Sequence, residues 1–201
     1  MASHTRMDRA GTEFIYRDAD SRVLLTAPHN KAVLRDGSYK RRDSNVGVLA
    51  AEAARLASVS ALIPVTPGDD DGNWSAASRF RQLLLRVAAE TCVIDVHGMS
   101  AAHGFDLVIG TAGGASPEWL VEILVREAAR SDLRVDVRHT GALAAGAKTI
   151  TALANAAFTG GVQLEFAPQW RTPKVNPQGF SHAVEFLATS AAAVDSHLRA
   201  V

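Results

Sequence analysis

Two histidines and a glutamate close three apolar runs of this chain, and together they could hold and use a metal ion. His29 follows Val23-Leu24-Leu25-Thr26-Ala27-Pro28, His97 follows Cys92-Val93-Ile94-Asp95-Val96, and Glu165 follows Gly161-Val162-Gln163-Leu164. Catalytic zinc sites commonly take three protein ligands and leave a position open for water, and two histidines with one carboxylate are a known set. The polar loop after His29 offers two acids, Asp36 and Asp43. Asp95 stands two residues before His97, so on a strand the two share a face. A carboxylate there could fix the imidazole tautomer, as partners of metal-bound histidines do. The competing reading is a neutral core histidine beside a buried acid bonded to a loop. Gly98 permits a sharp turn and close approach of a substrate. Glu165 needs a reason to sit in an apolar strand, because an unpaired carboxylate is costly to bury. It either pairs with Arg138 or Arg171, or takes a proton from water at a metal.

The elements around these residues alternate between strand and helix. Val23 to Thr26 predicts a strand. Val46, Leu49, Ala53 and Leu56 recur at helical spacing, with Asp43 or Ser44 placed to cap the helix. Ala61 to Val65 predicts a strand, Pro67 to Trp74 a turn rich in Asp and Gly, and Phe80, Leu83, Leu84 and Val87 one face of a second helix. Strands are expected at Cys92 to Val96 and Leu107 to Gly110. Ser116-Pro117-Glu118 opens a helix with Pro at its first position, and Arg134 to Arg138 alternates like a half-exposed strand. A strand from Gly161 to Phe166 and an amphipathic helix from Phe180 to Arg199 close the chain. The pattern predicts one α/β domain over residues 1–201, with 1–11 flexible and a mostly parallel sheet. In such sheets sites form at the carboxyl ends of strands, where His29, His97 and Glu165 fall.

Composition narrows the function classes. The chain has 201 residues and is 47% hydrophobic and 21% charged, the balance of a folded domain. Lys plus Arg equals Asp plus Glu, so the formal net charge is zero. Charge therefore supplies no argument for a nucleic-acid or anionic-membrane partner. The single cysteine, Cys92, excludes an intramolecular disulfide. No signal-peptide core or membrane-length apolar run is present, and the expected location is the cytoplasm. The expected partner is a small-molecule substrate. The alanine-rich helices could equally pack on a second copy in an oligomer.

In order and spacing, five segments resemble the N-formylglutamate amidohydrolase family. They are Ala27-Pro28-His29, Arg42-Asp43, Ile94-Asp95-Val96-His97-Gly98, Asp106-Leu107-Val108-Ile109-Gly110-Thr111 and Gln163-Leu164-Glu165-Phe166. The resemblance runs from about Leu24 to Arg171. It implies a single three-layer α/β domain of the zinc carboxypeptidase-like fold, with a mixed twisted sheet between helices. It further implies a site for one zinc ion, or another divalent metal, made by His29, Asp43 and His97, with Asp36 as the alternative carboxylate. Glu165 would be general base and then general acid in hydrolysis of an amide bond of a small N-acyl amino acid. The family often carries an Asn-Arg pair to grip a substrate carboxylate; here Asn73 matches and Trp74 stands in the arginine's place. Arg79, Arg81, Arg138 or Arg171 could supply the charge.

Two other readings remain. Ser100 follows a strand in Gly98-Met99-Ser100-Ala101-Ala102, with Asp132 or Asp136 and His139 or His182 later in the chain, as a serine hydrolase would require. That motif lacks its second glycine, which is Ala102 here. Alternatively, the domain binds a metal or an acidic ligand without turnover. Gly110-Thr111-Ala112-Gly113-Gly114 lacks the spacing of a dinucleotide loop.

Overall fold

The computed structural model describes residues 4–7, 13–17, 19–67, 70–87 and 89–201, with side chains from residue 19 onward. Most of residues 1–11, expected to be flexible, and residues 68–69 of the Asp-rich turn lie outside the described residues. The strands are β1 (His4–Met7), β2 (Glu13–Arg17), β3 (Val23–Thr26), β4 (Val33–Arg35), β5 (Ser38–Lys40), β6 (Ser60–Pro64), β7 (Cys92–Gly98), β8 (Leu107–Gly110), β9 (Val135–Arg138) and β10 (Gly160–Phe166). The helices are α1 (Val46–Ala57), α2 (Arg79–Leu84), α3 (Glu118–Arg130), α4 (Ile150–Ala157), α5 (Pro168–Arg171) and α6 (Pro177–Ala200). Eight strands form one mixed sheet in the order β1-β2-β6-β3-β7-β10-β8-β9, and β4 and β5 form a separate hairpin. The centre of the sheet, β6-β3-β7-β10, is parallel. β10 then pairs antiparallel with β8.

Strand alternation divides the core into two layers. Val23 and Leu25 of β3, Ile94 and Val96 of β7, and Val162, Leu164 and Phe166 of β10 face α1, α3 and α6. The opposite face carries Leu24, Leu62 and Val93 against Phe80 and Leu84 of α2 and Ile150 and Ala154 of α4. The result is the three-layer α/β domain expected, and β3, β7 and β10 are buried along their length except for Gly98 at the end of β7. Burying their aliphatic side chains stabilises the domain by about 1.5–3 kcal/mol for each full-sized one. Among the described residues, no helix is long and apolar enough to cross a membrane.

Several local expectations are corrected. Neither Asp43 nor Ser44 caps α1. Asn45 precedes the helix in the left-handed region (φ 64°) with no side-chain cap, because Asp43 turns toward the histidines. Leu56 is half-exposed, and the buried stripe of α1 runs instead through Val46, Leu49, Ala50, Ala53 and Ala54. Pro117 precedes α3 as its N-cap, and Ser116 donates to Gly161 O at 2.6 Å, joining the helix entry to β10. The loop between His29 and Ser44 holds the β4–β5 hairpin, and the alanine-rich stretch before β10 holds α4, capped by Thr149.

Candidate metal centre

The residues with chemical potential share one face of three neighbouring strands. Parallel register sets Thr26 beside Asp95, Gln163 beside Asp95 and Glu165 beside His97. Cys92, Ile94 and Val96 occupy the apolar face of β7, so Asp95 and His97 must point the other way, as do Gln163 and Glu165 of β10. His29 follows β3 in a short 3-10 turn opened by Pro28. Asp43 comes from the far end of the hairpin loop, which is closed where Asp43 N donates to His29 O at 2.8 Å. Asp36 lies on the exposed hairpin turn, where it accepts from Trp74 Nε1 at 2.8 Å.

Ring nitrogens and carboxylates then sort into an inner and an outer set. His29 Nε2 is 2.8 Å from Asp71 Oδ1, and His97 Nε2 is 2.9 Å from Asp95 Oδ2. Asp95 is itself held by Thr26 Oγ1, which donates at 2.6 Å. Each Nε2 can donate to its carboxylate, which leaves each Nδ1 as a lone pair. The two Nδ1 atoms face one another at 3.0 Å. Asp43 Oδ2 lies 3.5 Å from His29 Nδ1 and 3.2 Å from His97 Nδ1. Three potential ligand atoms thus converge within 4.8 Å of one another, and both histidines are buried. Two imidazoles and a carboxylate so placed could hold a metal ion. Lys40 Nζ supplies one positive charge, 3.0 Å from His29 Nδ1 and 3.2 Å from Asp43 Oδ1.

The electrostatics follow from the same contacts. Burial alone would raise the Asp43 carboxyl, but the hydrogen bonds and charges of His29 and His97 hold it far below the usual carboxylate range. Burial would likewise raise Asp71, and His29, the Asn73 backbone and Arg35 outweigh it. Burial works to lower His97, yet Asp95, Asp43 and Glu165 hold it well above the ordinary histidine value. Glu165 is raised, chiefly by burial and further by the Asp43 charge, with His97 opposing. A carboxyl raised above its ordinary value holds a proton more readily than an exposed one. Gln163 Nε2 donates to Glu165 Oε1 at 2.9 Å and orients it.

His29, Asp43, Asn73, His97 and Glu165 line one cleft of about 480 Å³. Asn73 is held from both ends of its amide: its Nδ2 lies 3.1 Å from His97 Nε2, and its Oδ1 accepts from Ile150 N at 2.7 Å. Three arginines expected near a substrate do not line this cleft. Arg79 opens α2. Arg138 is bound to Asp136 at 2.7 Å and to Ala142 O at 3.2 Å. Arg171 donates to Phe166 O, Ser44 O and Met99 O at 2.8–3.2 Å, stitching the loops behind the site together. Gly98 makes room for it: a Cβ there would fall 2.5 Å from Arg171 Nε. Asp71, Arg35, Lys40 and Lys148 escaped the sequence reading. For Asp71 the one available signal was its place two residues before Asn73 in a run that reads as a turn rich in Asp and Gly.

The serine-hydrolase geometry is not formed. Ser100 Oγ accepts from Ala102 N at the start of a 3-10 turn, His139 Nδ1 faces Thr111 Oγ1 at 2.8 Å, and His182 stacks on Trp170.

A three-layer α/β domain with a His-Asp-His cluster at the carboxyl ends of its central strands defines the class: the carboxypeptidase-like fold. Among solved structures, the chain is similar to an N-formylglutamate amidohydrolase from Ralstonia eutropha JMP134, at 13% identity and TM-score 0.63, covering 92% of this chain and 98% of that one. It is similar to a bacteriophage poly-gamma-glutamate hydrolase at 15% identity and TM-score 0.59, over 91% and 89% of the two chains. A metallo-carboxypeptidase from Burkholderia cenocepacia is similar at 12% identity and TM-score 0.55; 94% of this chain covers 61% of that longer one. No protein-family model and no curated protein matches the sequence. The shared property is the fold, and these bearers of it are hydrolases.

Proposed function

We propose that the protein is a zinc-dependent amidohydrolase that cleaves the amide bond of a small N-acyl amino acid or related amide. One observation carries the reading: two imidazole nitrogens and a carboxylate converge at the mouth of the sheet, with Glu165 in register beside them. His29 Nδ1, His97 Nδ1 and the Asp43 carboxylate would hold the ion. When bound, zinc lowers the pKa of a water toward about 7 and polarises a carbonyl oxygen.

The remaining steps belong to the chain. Asp71 and Asp95 keep the protons of His29 and His97 on Nε2 and so keep both Nδ1 atoms available. Asn73 fixes the wall of the cleft against α4 by accepting from Ile150 N. Glu165 takes a proton from the attacking water on a carboxylate oxygen. It delivers that proton to the amide nitrogen as the carbon–nitrogen bond breaks, so acid and amine leave without a covalent enzyme intermediate. Its burial supports the second half of that cycle by raising the carboxyl above its ordinary value, so that it can carry the proton to the amine.

Metal analysis and turnover test the reading together. Wild-type protein should bind about one zinc per chain and hydrolyse N-formyl amino acids. His97→Ala should lose the metal, and Glu165→Gln should keep it while the rate falls at least a hundredfold, the low end expected of a general base. Folded wild-type protein that takes up no zinc, or a Glu165→Gln variant with undiminished turnover, would overturn it.

A further inference from the structure

Three cations line the cleft, and two of them are already matched. Arg35 donates from Nε to Asp71 Oδ2 at 2.8 Å and from a second nitrogen to the same oxygen. Lys40 lies 3.2 Å from Asp43 Oδ1. Among the described residues, Lys148 has no carboxylate within ion-pair distance. Its Nζ sits 4.0 Å from the centroid of the Trp74 indole, which Arg35 also approaches at 5.0 Å. An aromatic face attracts an ammonium but does not neutralise it, so this charge remains available to an anion entering the cleft.

The seat is built rather than incidental. Trp74 is held by its Nε1–H bond to Asp36 and is 38% exposed, open to the cleft it lines. The Lys148 backbone is pinned on both sides. Arg81 donates to Lys148 O at 2.7 Å, and Ile150 N donates to Asn73 Oδ1 at 2.7 Å. Through Asn73, whose Nδ2 lies 3.1 Å from His97 Nε2, the segment is tied to the metal cluster itself. A cation placed by those bonds keeps a set relation to the bond to be cut, and the indole removes part of the side-chain freedom a lysine would otherwise lose on binding.

We propose that Lys148, seated on Trp74, is the specificity-determining residue of this cleft and binds a carboxylate that the substrate carries beside its scissile amide. The inference rests on the amidohydrolase reading for the word substrate, but the carboxylate subsite can be measured without turnover. The substrate class is then an N-acyl amino acid with a free acid, in preference to its neutral amide.

The test compares N-formyl-L-alanine with N-formyl-L-alaninamide by calorimetry. It uses zinc-supplied protein carrying Glu165→Gln to block turnover. The acid should bind about tenfold more tightly than the amide, about 1.4 kcal/mol. Lys148→Met should abolish that preference by weakening acid binding to the level of the amide, and Lys148→Arg should retain it. Trp74→Ala should reduce the preference and Trp74→Phe should restore most of it, a rescue that a purely structural role would not show. Equal binding of acid and amide by the parent protein, no binding of either at millimolar concentration, or an undiminished preference in Lys148→Met would overturn the proposal. Turnover of both probes by protein with Glu165 intact is read separately. Turnover without preference removes the Lys148 subsite and leaves the hydrolase; a Lys148-dependent preference without turnover does the reverse.

Discussion

Replacing Asp71 should damage metal binding and folding stability together, although the residue touches no metal ligand atom. Asp71 is fully buried and accepts four hydrogen bonds: from His29 Nε2 at 2.8 Å, from Asn73 N at 2.8 Å, and two from Arg35. In Asp71→Asn the amide oxygen can still accept from His29 and Asn73, but its NH2 then faces the two Arg35 donors. Hydrogen bonds to a charged group contribute about 1.5–3 kcal/mol. Arg35 is 32% exposed and can turn partly to water, so the loss should be near the low end, about 2 kcal/mol. His29 keeps a weaker, uncharged partner, and zinc affinity should fall about tenfold, the low end for such outer ligands. Asp71→Ala removes the acceptor altogether and should cost about a hundredfold. Zinc affinity is measured by competition with a chromogenic chelator, and stability by urea unfolding of the metal-free protein. Arg35→Met separates the two effects: stability should fall while zinc affinity barely changes. An Asp71→Ala protein that is folded and binds zinc like the wild type would refute the assignment of Asp71 as the residue that orients His29.

Lys40 Nζ lies against His29 Nδ1 and the second oxygen of Asp43, Oδ1, so it competes with a divalent ion for the same groups; Lys40→Met should bind zinc more tightly in the same chelator assay. Asp195 joins α6 to the start of β3 by accepting from Arg22 N, Ser21 Oγ and Arg199. Burial would raise its pKa, but these bonds outweigh it and lower the folded value below the unfolded one. Its stabilisation is therefore present above the unfolded value near 3.9 and lost as pH falls through the folded value. Asp195→Asn should be less stable than wild type at pH 7, by about 2 kcal/mol, and the gap should narrow in acid unfolding curves. Cys92 has no exposed surface, and burial pushes its thiol up to about 12. It should resist a disulfide reagent at pH 8 in the native protein and react on unfolding.

Local periodicity made much of this protein legible from its sequence. A strand turns successive side chains to opposite faces, so the apolar residues of β7 and β10 already imply that Asp95 with His97, and Gln163 with Glu165, share a polar face. Burial of every aliphatic position on the other face makes a one-residue slip prohibitive. That is why those residues could be placed before any contact was known. Pro28 before His29 and the apolar run of β3 carried similar local information.

The partners of those residues come from elsewhere in the chain and follow no period. Asp43 and Asp36 are both loop acids by sequence; the backbone bond from Asp43 N to His29 O selects Asp43, while the hairpin carries Asp36 away to Trp74. Asp71 reads as one acid in a turn rich in Asp and Gly and is instead the buried anchor of His29. Arg171 reads as a free charge near the site and spends its donors on three carbonyls. Lys148 gains its place only because Asn73 ties the segment before α4 to the wall of the cleft. Alternation along a strand is dictated by backbone geometry within a few residues. Which distant carboxylate or cation completes a polar cluster is decided by how the loops close over the strand ends, where buried groups must find partners wherever packing brings them.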